Sequence, residues 1–228
     1  MDRRVWQESC ALRDAGYEVV VICPQMRGHL AAEENLDGIQ IYRHWISAEA
    51  GGLAGFVGEY LSALWGEWRL AWKAWRRHRF RLIHLCNPPD LLFLVAWPFK
   101  LLGIPVIYDV HDVWPEMFEA KFGKRGCLYW FIRLAERLTY RCADVVLATN
   151  ASVRQVALSR GRKNPEDVFI VRTAPKIRAG EVQSNPALKK GRRFLVGYVG
   201  VMGNADGVSY ILEAAAQIVK RSGRTDVQ

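Results

Sequence analysis

The stretch Val106–Glu116, VIYDVHDVWPE, limits the folds open to this chain more than any other segment. Pro105 introduces it, and Val106, Ile107, Tyr108 and Val110 are β-formers in a short run. The run then breaks into polar residues, Asp109, His111 and Asp112, followed by Trp114-Pro115-Glu116. A short apolar run bounded by such breakers is a buried strand. In open parallel α/β sheets, ligands sit in the crevice outside the carboxyl ends of the strands. A histidine between two aspartates at such a strand end is therefore a site candidate. The competing reading is that His111 only hydrogen-bonds a βα loop, and spacing alone does not decide between the two.

The flanking sequence alternates strands with helices. Arg3 to Asp14 reads as a helix stopped by Gly16, then Tyr17 to Cys23 as a buried strand, Arg27 to Leu36 as a loop and Ile39 to His44 as a strand. Gly51 to Gly58 holds four glycines and reads as a mobile loop. A helix follows from about Glu59 to His78. Its Leu61, Leu64, Trp65, Trp68, Trp72 and Trp75 share one stripe, bordered by Arg69, Lys73, Arg76 and Arg77. Tryptophan beside basic residues suits an anionic membrane interface, but a crossover helix packed on a sheet also needs an apolar face.

Arg81 to Cys86 is the next strand, ending in the turn Asn87-Pro88-Pro89-Asp90, and an apolar helix spans Leu91 to Leu102. After the central strand, Arg125 to Arg141 reads as a helix burying Leu128, Phe131, Leu134, Ala135 and Leu138, with Arg133, Arg137 and Arg141 outside. Strand Asp144 to Ala148, a cap at Thr149-Asn150, helix Ala151 to Ser159 and strand Val168 to Val171 complete this half. The alternation predicts an α/β fold with a parallel doubly wound sheet.

Residues 176–193 carry six basic residues among Gly, Pro, Ser and Asn, a linker composition. A new strand (Phe194 to Val199), a glycine turn (Gly200 to Gly203) and a helix (about Gly207 to Lys220) follow. The organisation predicted is a first domain over 1–175, a basic linker over 176–193 and the start of a second domain over 194–228. A strand–turn–helix can set backbone N–H groups against a phosphate, although most such glycine pairs are simply tight turns.

With 228 residues and a net charge of +9, the chain is long enough for one large domain and favours anionic partners. The basic residues are dispersed over several elements and match no nucleic-acid motif, which argues against nucleic acid. Five scattered cysteines form neither a metal-ligand cluster nor a disulfide framework. The longest apolar stretch, Leu91 to Phe99, is too short to span a bilayer.

Five segments taken in order resemble the family 4 glycosyltransferases of the GT-B fold, nearest to bacterial members that build polysaccharides or glycolipids. They are Arg3–Pro24, CNPPD (Cys86–Asp90), Pro105–Glu116, ADVVLATN (Ala143–Asn150) and Leu195–Ala215. The resemblance implies two Rossmann-like domains, with the acceptor on the first and the donor on the second. It also implies transfer of a sugar from a nucleotide-diphosphate donor to a lipid-linked or polysaccharide acceptor with retention, with no cofactor and no catalytic metal.

Carried over residue by residue, His111 matches the histidine that contacts the donor sugar, with Asp112 beside it as a second catalytic candidate. Asn87, Pro88, Trp114, Glu116 and Asn150 line the acceptor side of the cleft. Gly200, Gly203 and Asn204 match the donor-diphosphate turn. The family pattern also implies a strand and glycine-rich loop ahead of the first helix and a longer second domain, so the chain reads as truncated at both ends. It has Thr173-Ala174 where many members have Asn-Gly, and no Arg or Lys directly after Gly203. The implied location is cytoplasmic, peripheral on the inner membrane face. The alternative from another class is a non-catalytic α/β remnant that docks on an anionic membrane surface.

Overall fold

The computed structural model describes residues 2–26, 28–46, 53–88, 90–123, 125–174, 185–200 and 207–228. The chain divides into two compact units, Met1–Ala174 and Pro175–Gln228.

In the first unit, helix α1 (Arg3–Asp14) begins at Asp2, whose carboxylate accepts hydrogen bonds from the amides of Arg4 and Val5. An aspartate at this position satisfies amides that have no partner within the helix. Strands β1 (Val20–Pro24), β2 (Glu33–Leu36) and β3 (Ile39–His44) form a sheet in the order β1-β3-β2, with β1 parallel and β2 antiparallel to β3. The expectation of a loop over Arg27 to Leu36 is thus corrected. Glu33–Leu36 is an edge strand, and its charged, mostly exposed sequence hid the pairing.

Helix α2 (Leu53–His78) begins inside the glycine-rich segment that read as a loop. Residues 47–52 of that region lie outside the described residues. The helix turns Ala63, Leu70 and Ala74 inward; Leu70 and Ala74 pack on Tyr42 of β3. A Cβ at Gly66 would lie 2.5 Å from the His44 ring, so only glycine permits this approach of helix to strand. The tryptophan stripe is divided. Trp72 and Trp75 pack against Phe99 and the core, whereas Trp65 and Trp68 stack on each other at the surface.

Strands β4 (Ile83–Cys86), β5 (Val106–Val110), β6 (Val145–Ala148) and β7 (Val168–Ile170) form an all-parallel sheet in that order. Among the described residues β1 and β4 do not pair, so the unit holds two sheets rather than one continuous one. Parallel strands need covered faces, and helices α3 (Phe93–Leu101), α4 (Trp114–Phe122), α5 (Cys127–Cys142) and α6 (Ala151–Ser159) alternate with them. Val106, Tyr108 and Val110 of β5 join Phe99 of α3, Ala135 and Tyr140 of α5, and Val153 and Ala157 of α6 in one core. Helix α5 buries Tyr129, Ile132, Ala135, Glu136, Thr139 and Tyr140, leaving Phe131 and Leu134 exposed. The face expected to be buried is therefore rotated. Glu136 lies inside because Arg160 pairs with it at 2.6 Å, which periodicity cannot anticipate.

In the second unit Asn185 caps a short 3₁₀ turn, Pro186–Lys189. The predicted strand Phe194 to Val199 is not a strand. Among the described residues its one pairing is a single parallel bridge, Phe194 with Val227, so the segment has no ladder to extend. Helix α7 (Val208–Ala216) continues as a wider π-type turn, Gln217–Arg221.

Candidate active site at the strand ends

Asp109 is the last but one residue of β5 and is fully buried, on the opposite side of the strand from Tyr108. An isolated buried carboxylate is costly, and two side chains answer it. Arg4, in the first turn of α1, makes a bidentate fork, Nε to Oδ2 at 2.6 Å and Nη2 to Oδ1 at 2.8 Å. Its Nη1 also donates to the Val171 carbonyl at 2.8 Å, just beyond β7. His111 supplies the other contact, Nε2 to Oδ2 at 2.8 Å. Burial would raise the Asp109 pKa, but the hydrogen bonds from His111 and Arg4 hold it well below the usual carboxylate range. The same bond raises the pKa of His111 against its partial burial. With Asp109 ionised, Nε2 carries a proton and Nδ1 is the ring nitrogen left for a ligand.

Asn87, at the end of β4, shapes the loop that carries His111. Its Oδ1 accepts from the amides of His111 (2.8 Å) and Asp112 (3.3 Å), and its Nδ2 donates to the Asp112 carbonyl (2.6 Å) and to Asp90 Oδ1 (2.9 Å). Asp90 is fully buried and accepts from Tyr108 Oη at 2.5 Å. Burial lifts its pKa to about 6, although Tyr108 and Asn87 oppose the rise.

Asp2, Arg3, Arg4, His111, Thr149 and Thr173 line a cavity of about 180 Å³ at the carboxyl ends of β5, β6 and β7. This is the crevice where open α/β sheets bind ligands. Three consecutive residues of α1 and its cap form one wall.

The structure gives the other predicted residues distinct places. His111 and Asn87 come together, with Asp112 between them and its carboxylate exposed. Pro88 follows Asn87 through a cis peptide bond and is exposed. Trp114 is buried, stacked on Tyr60 at 5.3 Å and packed with Phe118 and Ile132, so it serves the core. Glu116 pairs with Arg160. Asn150 caps α6 by accepting from the Val153 amide at 3.0 Å. Gly200 belongs to the second unit, and Gly203 and Asn204 lie outside the described residues. Sequence reasoning missed Arg4 and counted Asp109 only as a flank of His111. An arginine near a chain start and an aspartate inside a strand carry no local signal of a partner 105 residues away.

His84, Cys86 and Asp109 bring three potential metal-ligating atoms within 4.8 Å of one another. The donor set suits a cation poorly. Arg4 already forks onto both oxygens of Asp109, and burial with the nearby Asp109 charge pushes the Cys86 thiol far up. His84 Nε2 stands 3.8 Å from Asp109, beyond hydrogen-bond reach.

A parallel α/β sheet with covering helices and a charged cavity at its strand ends has the architecture of a Rossmann-like α/β domain. Residues 1–173 match the family of glycosyl transferase 4-like domains, and the chain belongs to that family. No curated protein matches it.

Proposed function

We propose that the chain takes part in transfer of a sugar from a nucleotide-diphosphate donor to an acceptor hydroxyl of a saccharide or lipid-linked saccharide, with retained configuration. Family membership supports glycosyl transfer in general. The observation that carries the finer reading is His111, locked by Asp109 at a strand end and lining a cavity beside Arg3 and Arg4. In this reading the first unit holds the acceptor and the residues from Phe194 onward begin the donor side, with Gly200, Gly203 and Asn204 near the diphosphate.

The bond from the anomeric carbon to the diphosphate oxygen breaks, and the diphosphate leaves with the electron pair. The acceptor oxygen bonds to the same carbon, and its proton passes to the departing phosphate oxygen. Nδ1 of His111 hydrogen-bonds a hydroxyl of the donor sugar as charge develops on the ring. Fixed donors act without reorganisation at that moment. The exposed Asp112 carboxylate accepts from an acceptor hydroxyl and orients it. Arg3 supplies a guanidinium on the cavity wall, whereas Arg4 is already paired with Asp109.

The test is nucleotide-diphosphate release by the full chain, given a set of nucleotide sugars and a membrane lipid extract. One donor is expected to be turned over, and His111→Ala to lower the rate at least ~100-fold, the scale of a lost transition-state contact. Turnover of no donor, or a His111→Ala rate equal to that of the parent, refutes the reading. The anomeric configuration of the product, read by NMR, decides retention.

A further inference from the structure

The helical layer that covers the Tyr108 face of the β4–β7 sheet carries an outer surface that the proposed chemistry does not use. Helix α3 packs between α2 and α5, and each of the three turns an unpartnered apolar stripe outward. On α2 the stripe is Leu61, Trp65 and Trp68; Trp65 is 64% exposed. On α3 it is Leu94, Trp97 and Leu101, the last 78% exposed. On α5 it is Trp130 and Leu134, with Trp130 63% exposed. The spacings of three, four and seven residues keep each stripe on one side of its helix. Single exposed apolar residues are ordinary, but apolar stripes on three adjacent helices are not.

The charge beside these stripes is basic. Arg69 and Arg76 flank the α2 stripe, and Arg137 and Arg141 continue the α5 stripe by one and two turns. Lys73 and Arg77 are partly neutralised by Glu33. Among the described residues no ion pair engages Arg69 or Arg76, and both line an open groove of about 720 Å³ together with Trp68 and Trp72. The stripes themselves contain no Asp or Glu. Tryptophans seat at the boundary between headgroups and acyl chains, and arginines pair with lipid phosphates while their stems lie along apolar surface. Among the described residues no helix is long and apolar enough to cross a membrane, so attachment would be to the surface.

We propose that the outer face of α2, α3 and α5 seats the chain on an anionic lipid bilayer, with Trp65, Trp97 and Trp130 in the interface and Arg69, Arg76, Arg137 and Arg141 on the lipid phosphates. The inference is independent of His111 and of any transfer activity.

Flotation of the full chain with vesicles tests it, using phosphatidylcholine alone against phosphatidylcholine with phosphatidylglycerol. Binding is expected only with the anionic lipid, accompanied by a blue shift of tryptophan emission and weakened by salt. Trp65→Ser with Trp130→Ser changes two exposed side chains, so unaltered circular dichroism and Tm serve as the folding control. This variant is expected to lose at least ~10-fold in vesicle affinity. Arg69→Glu with Arg76→Glu is expected to lose at least ~25-fold, from about fivefold for each basic residue at an anionic surface. Absence of flotation overturns the proposal, as does equal binding by the folded variants. Self-association of the parent that Trp65→Ser with Trp130→Ser abolishes, without vesicle binding, would assign the face to a second copy of the chain instead.

Discussion

Replacing Asp109 by Asn tests the electrostatic account of the strand-end site. Asp109 is fully buried, and the Arg4 guanidinium that forks onto it is nearly so. The substitution keeps shape and one acceptor but leaves Arg4 with only the Glu8 carboxylate, 3.2 Å away, as a counter-charge. Breaking a buried pair from one side costs about 3–5 kcal/mol. The pair borders an open cavity that screens one side, so the lower end, about 3 kcal/mol, applies. For a unit of this size that corresponds to a fall in Tm of about 10 °C.

The same substitution removes the bond that raises the His111 pKa. A histidine whose folded pKa is raised contributes stability that is complete below its unfolded pKa and is lost as pH rises through the folded value. In the parent, stability should therefore decline from about pH 6.5 upward, and in Asp109→Asn that slope should flatten. Urea denaturation at several pH values, with NMR titration of His111, measures both. The double change Arg4→Met with Asp109→Leu removes both charges and should recover at least half of the lost stability. A loss below about 1 kcal/mol, an unmoved His111 titration, or a double variant no better than the single one would refute the reasoning.

Asn87→Ala removes the acceptor for two loop amides and the donor to Asp90 and the Asp112 carbonyl. It should cost about 2–3 kcal/mol and speed hydrogen exchange at the His111 and Asp112 amides, read by NMR, while leaving the exchange of α1 unchanged. Glu67→Gln should stabilise the protein above neutral pH. Burial lifts the Glu67 pKa to about 7, and its buried Oε2 has no hydrogen-bond partner. A carboxyl raised in this way loses stability as pH climbs from its unfolded pKa to its folded one, by at most about 3 kcal/mol. Denaturation at pH 5 and pH 8 should show the parent weakening more than the variant.

Much of the first unit was legible in the chain. Arg3 to Asp14, Ile39 to His44 and the strand from Val106 appear where periodicity and punctuation put them, because each obeys a local rule. The departures trace to interactions that local rules do not see. Glu33–Leu36 is a strand because β3 offers it an edge, not because of its composition. Glu136 lies inside because Arg160 meets it there, and the rest of α5 turns with it. Phe194 to Val199 has strand composition yet pairs through one bridge, since a strand exists only where a neighbour supplies a ladder. At the site, His111 and Asn87 announced themselves as polar residues ending apolar runs. Arg4 did not, since its meaning depends on a carboxylate 105 positions later.

The wall that α1 contributes to the cavity has a practical consequence. Asp2 both caps the helix and faces the cavity, and Arg4 ties the first helical turn to the ends of β5 and β7. Helix order at this end and occupancy of the cavity are thus linked quantities. A ligand that fills the cavity should slow exchange of the α1 first-turn amides before it touches any other helix.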